Sequence, residues 1–168
     1  MTDDYSKINE RLQRQYFREN IHRIWTMIKS GMSVELTEQD HKLAIIIMNH
    51  KEYREHFENK DILDGREYEA GDEFNPFLHI SFHQMVEDQL SSNSPKEAAL
   101  FCEAMQDNGI SHHNAVHYIM MILTRIIYDS IVNNKSFDTG RYKRLLTRCR
   151  KVEPSQIEEA IERDFLSS

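Results

Sequence analysis

A chain of 168 residues fits one domain by its length, and 39% hydrophobic and 29% charged residues are typical of a globular protein rather than a disordered one. The net charge of −7 disfavours a general nucleic-acid binder, which needs a basic face to release counterions, and it disfavours adsorption to anionic membranes. The sequence has no secretory signal and no apolar run of about 18 residues, so we expect a cytoplasmic protein without a membrane span.

Helix signals begin in the first quarter of the chain. Apolar residues at helical spacing predict a first helix over residues 6–30 that ends at Gly31. Thr37, with Asp40 three residues later, predicts the start of a second helix, and residues 51–57 continue it or form a short helix. Residues 61–74 hold two glycines and six acidic residues without a sustained period, which predicts a loop. Residues 32–36 are the only strand candidate and are too isolated to form a sheet.

Helix starts then recur at short intervals to the end of the chain. They are predicted at Asn75-Pro76, at Ser94-Pro95 with Glu97, at Ser111, at Asp138 and at Pro154. The first four of these helices should end near residues 90, 109, 133 and 152. The pattern predicts an all-α fold, a compact bundle of six to seven helices in a single domain over residues 1–168.

Two histidine pairs carry the strongest chemical signal. His79, His83 and Glu87 follow one another at four-residue intervals on one predicted helix, and His113 and His117 do so on another. Residues four apart lie on the same helix face, so each pair can point at a common atom. Imidazole nitrogens and carboxylate oxygens are ligands for zinc, nickel, iron or manganese. The spacing therefore predicts a divalent-metal site, with zinc, nickel or iron as its ion.

A helical wheel predicts that both pairs are partly buried. The apolar arc of the first helix comprises Leu78, Phe82, Met85 and Val86, extended by Leu90. His79 falls inside this arc, His83 at its edge and Glu87 just beyond, while His113 lies at the edge of the arc of its own helix and His117 just beyond. If consecutive helices run antiparallel, these two helices run parallel and both pairs meet at one end of the bundle.

A structural reading of the histidines stays open beside the metal site. Buried imidazoles often bond a backbone carbonyl, and nine histidines in one chain produce some pairs by chance. The other five are interpreted as surface or packing residues: His22, His41, His50, His56 and His112. Cys102 and Cys149 stand in no metal-like spacing, so they are predicted to be reduced and structural.

A basic stretch follows Asp138. It comprises Arg141, Lys143, Arg144, Arg148, Arg150 and Lys151. Its ordinary interpretation is a solvated helix face, and the alternative is docking to an acidic partner or RNA. The sequence contains no nucleophile elbow, phosphate loop or dinucleotide fingerprint, so no reaction class follows from its motifs.

Four motifs together resemble the bacterial domain-of-unknown-function family 1841 over about residues 8–150. They are the run Asn75-Pro76-Phe77-Leu78-His79 continuing through His83 to Glu87 and Gln89, the helix with Phe17 and Trp25, the turn His50-Lys51-Glu52-Tyr53, and His113-x-x-x-His117. The resemblance implies a small, helical, cytoplasmic bacterial protein with no established activity. Relatives often have proline in place of Lys51 and an acidic residue in place of Met121. If that carboxylate is a metal ligand in relatives, the site of this chain has one ligand fewer.

Three functions remain from the sequence. The first is an uncharacterised bacterial cytosolic protein with the divalent-metal site of two histidine pairs. The second is a non-enzymatic interaction module with structural histidines, for which a protein partner or a second copy is the ligand to consider. The third is a carboxylate-histidine iron protein, because the spacings His83-x-x-x-Glu87 and His113-x-x-x-His117 are similar to those of hemerythrin.

Overall fold

The computed structural model describes residues 2–58 and 75–166. All regular secondary structure in these ranges is helical, which confirms the predicted all-α class. Eight α-helices and no strand occur in these ranges, close to the six to seven helices predicted. Residues 32–36 contain a short 3-10 turn, Ser33–Glu35, instead of a strand. The loop predicted over residues 61–74 lies outside the described residues.

The helices divide between two compact units, Met1–Ser81 and Phe82–Ser168. In chain order they are α1 (Thr2–Lys29), α2 (Glu38–Asn49), α3 (Arg54–Glu58), α4 (Pro76–Ser91), α5 (Lys96–Asp107), α6 (His112–Val132), α7 (Thr139–Cys149) and α8 (Ile157–Leu166). The boundary between the units falls within α4. The single-domain organisation stays a prediction.

In the first unit, α1 packs on α2 and α3. Gly31 adopts a φ of +75°, which lets the chain leave α1 with the Met32 amide donating to the Met27 carbonyl at 3.0 Å. The hydroxyl of Thr37 accepts from the Asp40 amide at 3.1 Å and begins α2 as predicted. The core of this unit contains Ile21, Ile24, Leu36, Leu43, Ala44, Ile46, Ile47, Phe57, Phe77 and Ile80.

In the second unit, α5 packs on α6 and α7, and α8 packs on both α6 and α7. Its core consists of side chains that are almost wholly removed from water, and full burial of a large apolar side chain contributes roughly 1.5–3 kcal/mol. The largest of them are Phe101, Met105, Ile119, Ile122, Ile126, Tyr142 and Leu145.

Side-chain caps confirm three more of the predicted helix starts. Asn75 Oδ1 accepts from the Leu78 amide at 3.0 Å, Ser111 Oγ from the Asn114 amide at 3.2 Å, and Asp138 Oδ1 from the Arg141 amide at 2.8 Å. The predicted cap at Ser94 is wrong. Pro95 occupies the cap position with an extended ψ of 148°, and no side chain caps α5, so that helix begins at Lys96.

Helix α6 is long and apolar enough to cross a membrane by length and composition, the one such helix in the described ranges. The core helix of a soluble protein passes the same test. Seven of its residues are buried in the second unit: Ala115, Val116, Ile119, Met120, Ile122, Leu123 and Ile126. Core packing is therefore sufficient to explain the apolar character of α6.

Candidate metal centre

His83 is the most deeply placed histidine of the second unit. The Asn75-Pro76 start sets the phase of α4, and His83 is only 2% exposed, three residues before the fully buried Val86. The predicted apolar arc is partly wrong, because Leu78 and Met85 are 37% and 44% exposed. Helix α4 carries apolar residues on more than one side, so the apolar arc on a helical wheel does not coincide with the face that is buried.

His113 and His117 lie in the first two turns of α6, which the Ser111 cap fixes in position. Both are half-buried, and the fully buried Ala115 and Val116 stand between them in sequence. Because residues four apart share a helix face, the two rings project from the same side of α6.

The three rings of His83, His113 and His117 come together inside the second unit. The ring centroids of His83 and His113 are 5.1 Å apart with nearly parallel planes, 12° from each other. His117 lies 4.6 Å from the His83 ring and 4.4 Å from the His113 ring. One ring nitrogen from each histidine lies within 4.8 Å of the others. Two helices thus contribute three imidazole nitrogens to one small volume.

Glu87, one turn after His83, contacts a different histidine. Its Oε1 accepts a hydrogen bond from His112 Nε2 at 2.8 Å, and His112 Nδ1 lies 3.6 Å from the Sγ of Cys102. A carboxylate only accepts, so in neutral His112 the proton is on Nε2, and Nδ1 is a second acceptor for the Cys102 thiol beside Gln106 Oε1 at 3.8 Å. Burial, and then the negative charges of Glu87 and Glu103, raise the pKa of Cys102 to about 11.

His79 belongs to the first unit, where its partner is His50. His50 Nδ1 donates to the Ile46 carbonyl at 2.7 Å, which leaves Nε2 of neutral His50 as an acceptor for His79 Nε2–H at 3.0 Å. Tyr53 stacks on His50 at 5.6 Å and meets His79 edge to face at 5.4 Å. The two imidazoles therefore share a proton in a hydrogen-bonded pair beside an aromatic ring.

The sequence interpretation treated His50 as a surface or packing residue. It is completely buried, and both of its ring nitrogens form hydrogen bonds. A signal was present, because His50 directly follows the last residue of α2. A histidine at that position can satisfy one of the last helix carbonyls, as His50 does with Ile46.

The donor set fits a transition-metal ion better than it fits a hard cation. Imidazole nitrogens suit zinc, copper, nickel and iron, while magnesium and calcium require oxygen ligands. A tetrahedral zinc ion with bonds of about 2.0–2.1 Å holds its ligand nitrogens about 3.3 Å apart. Ring movements of about an ångström therefore separate the observed arrangement from a bonded one.

The model of the domain of unknown function DUF1841 matches residues 13–148 of the chain. The chain belongs to the DUF1841 family. The match includes α4, α5 and α6, so all three clustered histidines lie within the family region. No curated protein and no solved structure matches the chain.

Proposed function

We propose that this DUF1841 protein binds a divalent transition-metal ion, zinc in preference to nickel or iron, through His83, His113 and His117. The observation that carries the proposal is the approach of three ring nitrogens from two helices to within 4.8 Å of one another. Neutral imidazoles offer one lone pair each, and a single cation can accept all three.

The local environment favours metal binding. His113 and His117 project from one face of the first two turns of α6, so a single ion can reach a nitrogen of each ring. Val86 and Val116 are completely buried on the same two helices. An apolar surrounding limits the access of water to a bound ion and strengthens its electrostatic attraction to the ligands.

Zinc is a better candidate ion than iron because of the position of the Glu87 carboxylate. A hemerythrin-like iron centre combines histidines with carboxylates, and Glu87 was the carboxylate that the sequence offered for it. The Oε1 of Glu87 is bonded to His112 at 2.8 Å. No oxygen of Glu87 belongs to the group of ligand atoms that lie within 4.8 Å of one another. Iron binding with Glu87 as a ligand would therefore require that side chain to move, whereas zinc binding to three imidazoles would not.

The cellular location is part of the proposal. Cys102 and Cys149 are both free thiols and both buried. Free cysteines persist under reducing conditions, and we therefore assign the protein to the cytoplasm.

A metal titration tests the site. Zinc or nickel is added to chelator-treated wild type and to a His113→Ala/His117→Ala variant, and binding is followed by isothermal titration calorimetry. We expect one ion per wild-type chain. Loss of a residue that only hydrogen-bonds to a metal ligand weakens metal binding roughly 10- to 100-fold. Loss of two ligands in the variant should weaken it by more than this. Because protons compete for the nitrogens, wild-type affinity should also fall as the pH drops below about 6.5.

His41→Ala is the matched control, because His41 is an exposed histidine outside the cluster. It should bind zinc as wild type does. If all three proteins bind zinc with equal affinity, or if none binds it, the metal proposal fails. The interaction module with structural histidines then becomes the better interpretation. An optical spectrum of the iron-loaded protein under oxygen tests the hemerythrin-like alternative separately.

A further inference from the structure

An arginine-lined cavity of about 440 Å³ opens on the second unit, and its lining includes no residue of the metal proposal. Arg141, Arg144, Leu145 and Arg148 of α7 line it together with Asp164 of α8. Positions 141, 144 and 148 are three and four residues apart, so the three guanidinium groups leave the same face of α7. We infer that this cavity binds the phosphate group of a small anionic ligand.

Two of the arginines are held in place before any ligand arrives. Arg141 donates from Nε to Asp164 Oδ2 at 3.2 Å, and its guanidinium stacks 4.1 Å from the centre of the Phe165 ring. Arg148 donates to Asp164 Oδ1 at 2.7 Å and to the Ala160 carbonyl at 3.0 Å. A single carboxylate thus fixes both side chains, which lowers the entropy that binding would cost.

Arg144 is the arginine whose donors face solvent. Among the described residues its guanidinium makes no hydrogen bond or ion pair, and the side chain is exposed. An arginine carries five N–H donors in a planar fork that matches two oxygens of a phosphate. Arg144 therefore supplies the fork that a bound phosphate would use first, with Arg141 and Arg148 one turn away on either side.

The charge of the cavity matches that of a phosphate monoester. Three guanidinium groups and one carboxylate line it and leave a net charge of +2. Asp129 does not line the cavity. Its carboxylate lies 3.4 Å from the Arg141 guanidinium, and 41% of the Asp129 side chain is exposed. A phosphate monoester carries about −1.5 to −2 at pH 7, so the ligand neutralises the excess positive charge.

A small ligand fits better than a polyanion. The volume of about 440 Å³ lies within the range of roughly 300–1,000 Å³ that small-molecule sites occupy. The whole chain carries a net charge of −7, which repels an extended nucleic acid or an anionic membrane. A compact anion responds mainly to charges within a Debye length of about 8–10 Å, which include the three arginines that line the cavity.

Titration with inorganic phosphate and with phenyl phosphate tests the inference, followed by NMR of the arginine Nε–H and backbone signals of the full chain. Wild type should show saturable shifts at Arg141, Arg144 and Arg148. Arg144→Gln should weaken binding roughly 10- to 100-fold, which is the loss in affinity expected when hydrogen bonds to a charged group are removed. Arg144→Lys keeps the charge but loses the fork, so its affinity should be intermediate. Tighter binding of phenyl phosphate indicates an organic ester, and equal affinities indicate free phosphate.

Lys143→Gln is the matched control, since it removes one positive charge from α7 at a residue that does not line the cavity. It should bind both probes as wild type does. Equal weakening by Lys143→Gln and Arg144→Gln would mean unspecific attraction to a basic helix and would overturn the inference. Chemical-shift changes at residues outside the cavity would overturn it as well. A short single-stranded RNA is the last comparison: if it binds more tightly than either probe, and equally tightly to both variants, the inference is also wrong.

Discussion

Histidines meet in different arrangements in the two units of this protein. In the first unit, His50 and His79 form a pair in which Nε2 meets Nε2 at 3.0 Å, and the Ile46 carbonyl fixes the tautomer of His50. In the second unit, the rings of three histidines pack with centroids 4.4–5.1 Å apart. Two nitrogens at 3.0 Å can share one proton, whereas three that approach one another offer their lone pairs to one cation.

A hydrogen-bonded histidine and a candidate metal ligand differ here in the number of rings that meet and in the partners of their nitrogens. A hydrogen bond between one donor and one acceptor contributes to stability. Three ring nitrogens suit an ion of about 2.1 Å bond length, and under the proposed function their contribution would be to binding.

The largest expected effect is stabilisation of the second unit by zinc. At a free zinc concentration 100 times the dissociation constant, wild type should gain about 2.7 kcal/mol, which corresponds to a rise in melting temperature of about 5–10 °C. His83→Gln should lose this gain, because the glutamine amide does not replace an imidazole ligand. Differential scanning calorimetry of each protein with and without zinc measures the gain independently of any loss of basal stability.

His112→Gln is the control for this measurement, since it changes the neighbour of His113 that bonds Glu87. It should keep the zinc-dependent rise. If His83→Gln keeps the whole rise as well, the three-histidine group behaves like the pair of the first unit and holds no ion.

Much of the three-histidine group was predictable from the sequence. Asn75 and Ser111 mark the helix starts, and the four-residue spacing of His113 and His117 places both rings on one face of α6. These are local features, because a cap and a helical period depend on residues within a few positions of each other.

The partners of the other site candidates depend on tertiary packing, which the sequence pattern does not encode. Nothing in the spacing of Glu87 indicates that its carboxylate bonds His112, which is 25 positions away. Likewise His79 bonds His50 at a separation of 29 residues. A helical wheel describes one helix in isolation, and it therefore gives the faces of α4 without their neighbours.

A smaller effect is expected for the histidine pair of the first unit. A double-mutant cycle with His50→Ala and His79→Ala, measured by urea unfolding in the presence of a chelator, should give a coupling energy of about 0.5–1.5 kcal/mol. The matched cycle combines His79→Ala with His41→Ala and should give a coupling near zero. A coupling for His50 and His79 no larger than in this control would contradict the hydrogen-bonded pair.

The smallest expected effect concerns Glu87, the carboxylate that the sequence included among the metal ligands. Glu87→Gln should leave the zinc affinity within about threefold of wild type, because the carboxylate contacts His112 and not an ion. The same substitution should act on Cys102 instead. Its pKa is raised to about 11, so only about one thiol in a thousand is ionised at pH 8.

Removing the negative charge of Glu87 favours the thiolate, which lowers the pKa of Cys102 and should speed alkylation by iodoacetamide at pH 8 about two- to fivefold. Glu103→Gln removes the other charge that raises this pKa, at a residue that is no ligand candidate, and should also speed alkylation. Both variants should therefore bind zinc like wild type and react faster at the thiol. If Glu87→Gln alone weakens metal binding more than tenfold, the carboxylate of Glu87 does bind the ion. The metal centre is then one of mixed histidine and carboxylate ligands, for which iron becomes the better ion.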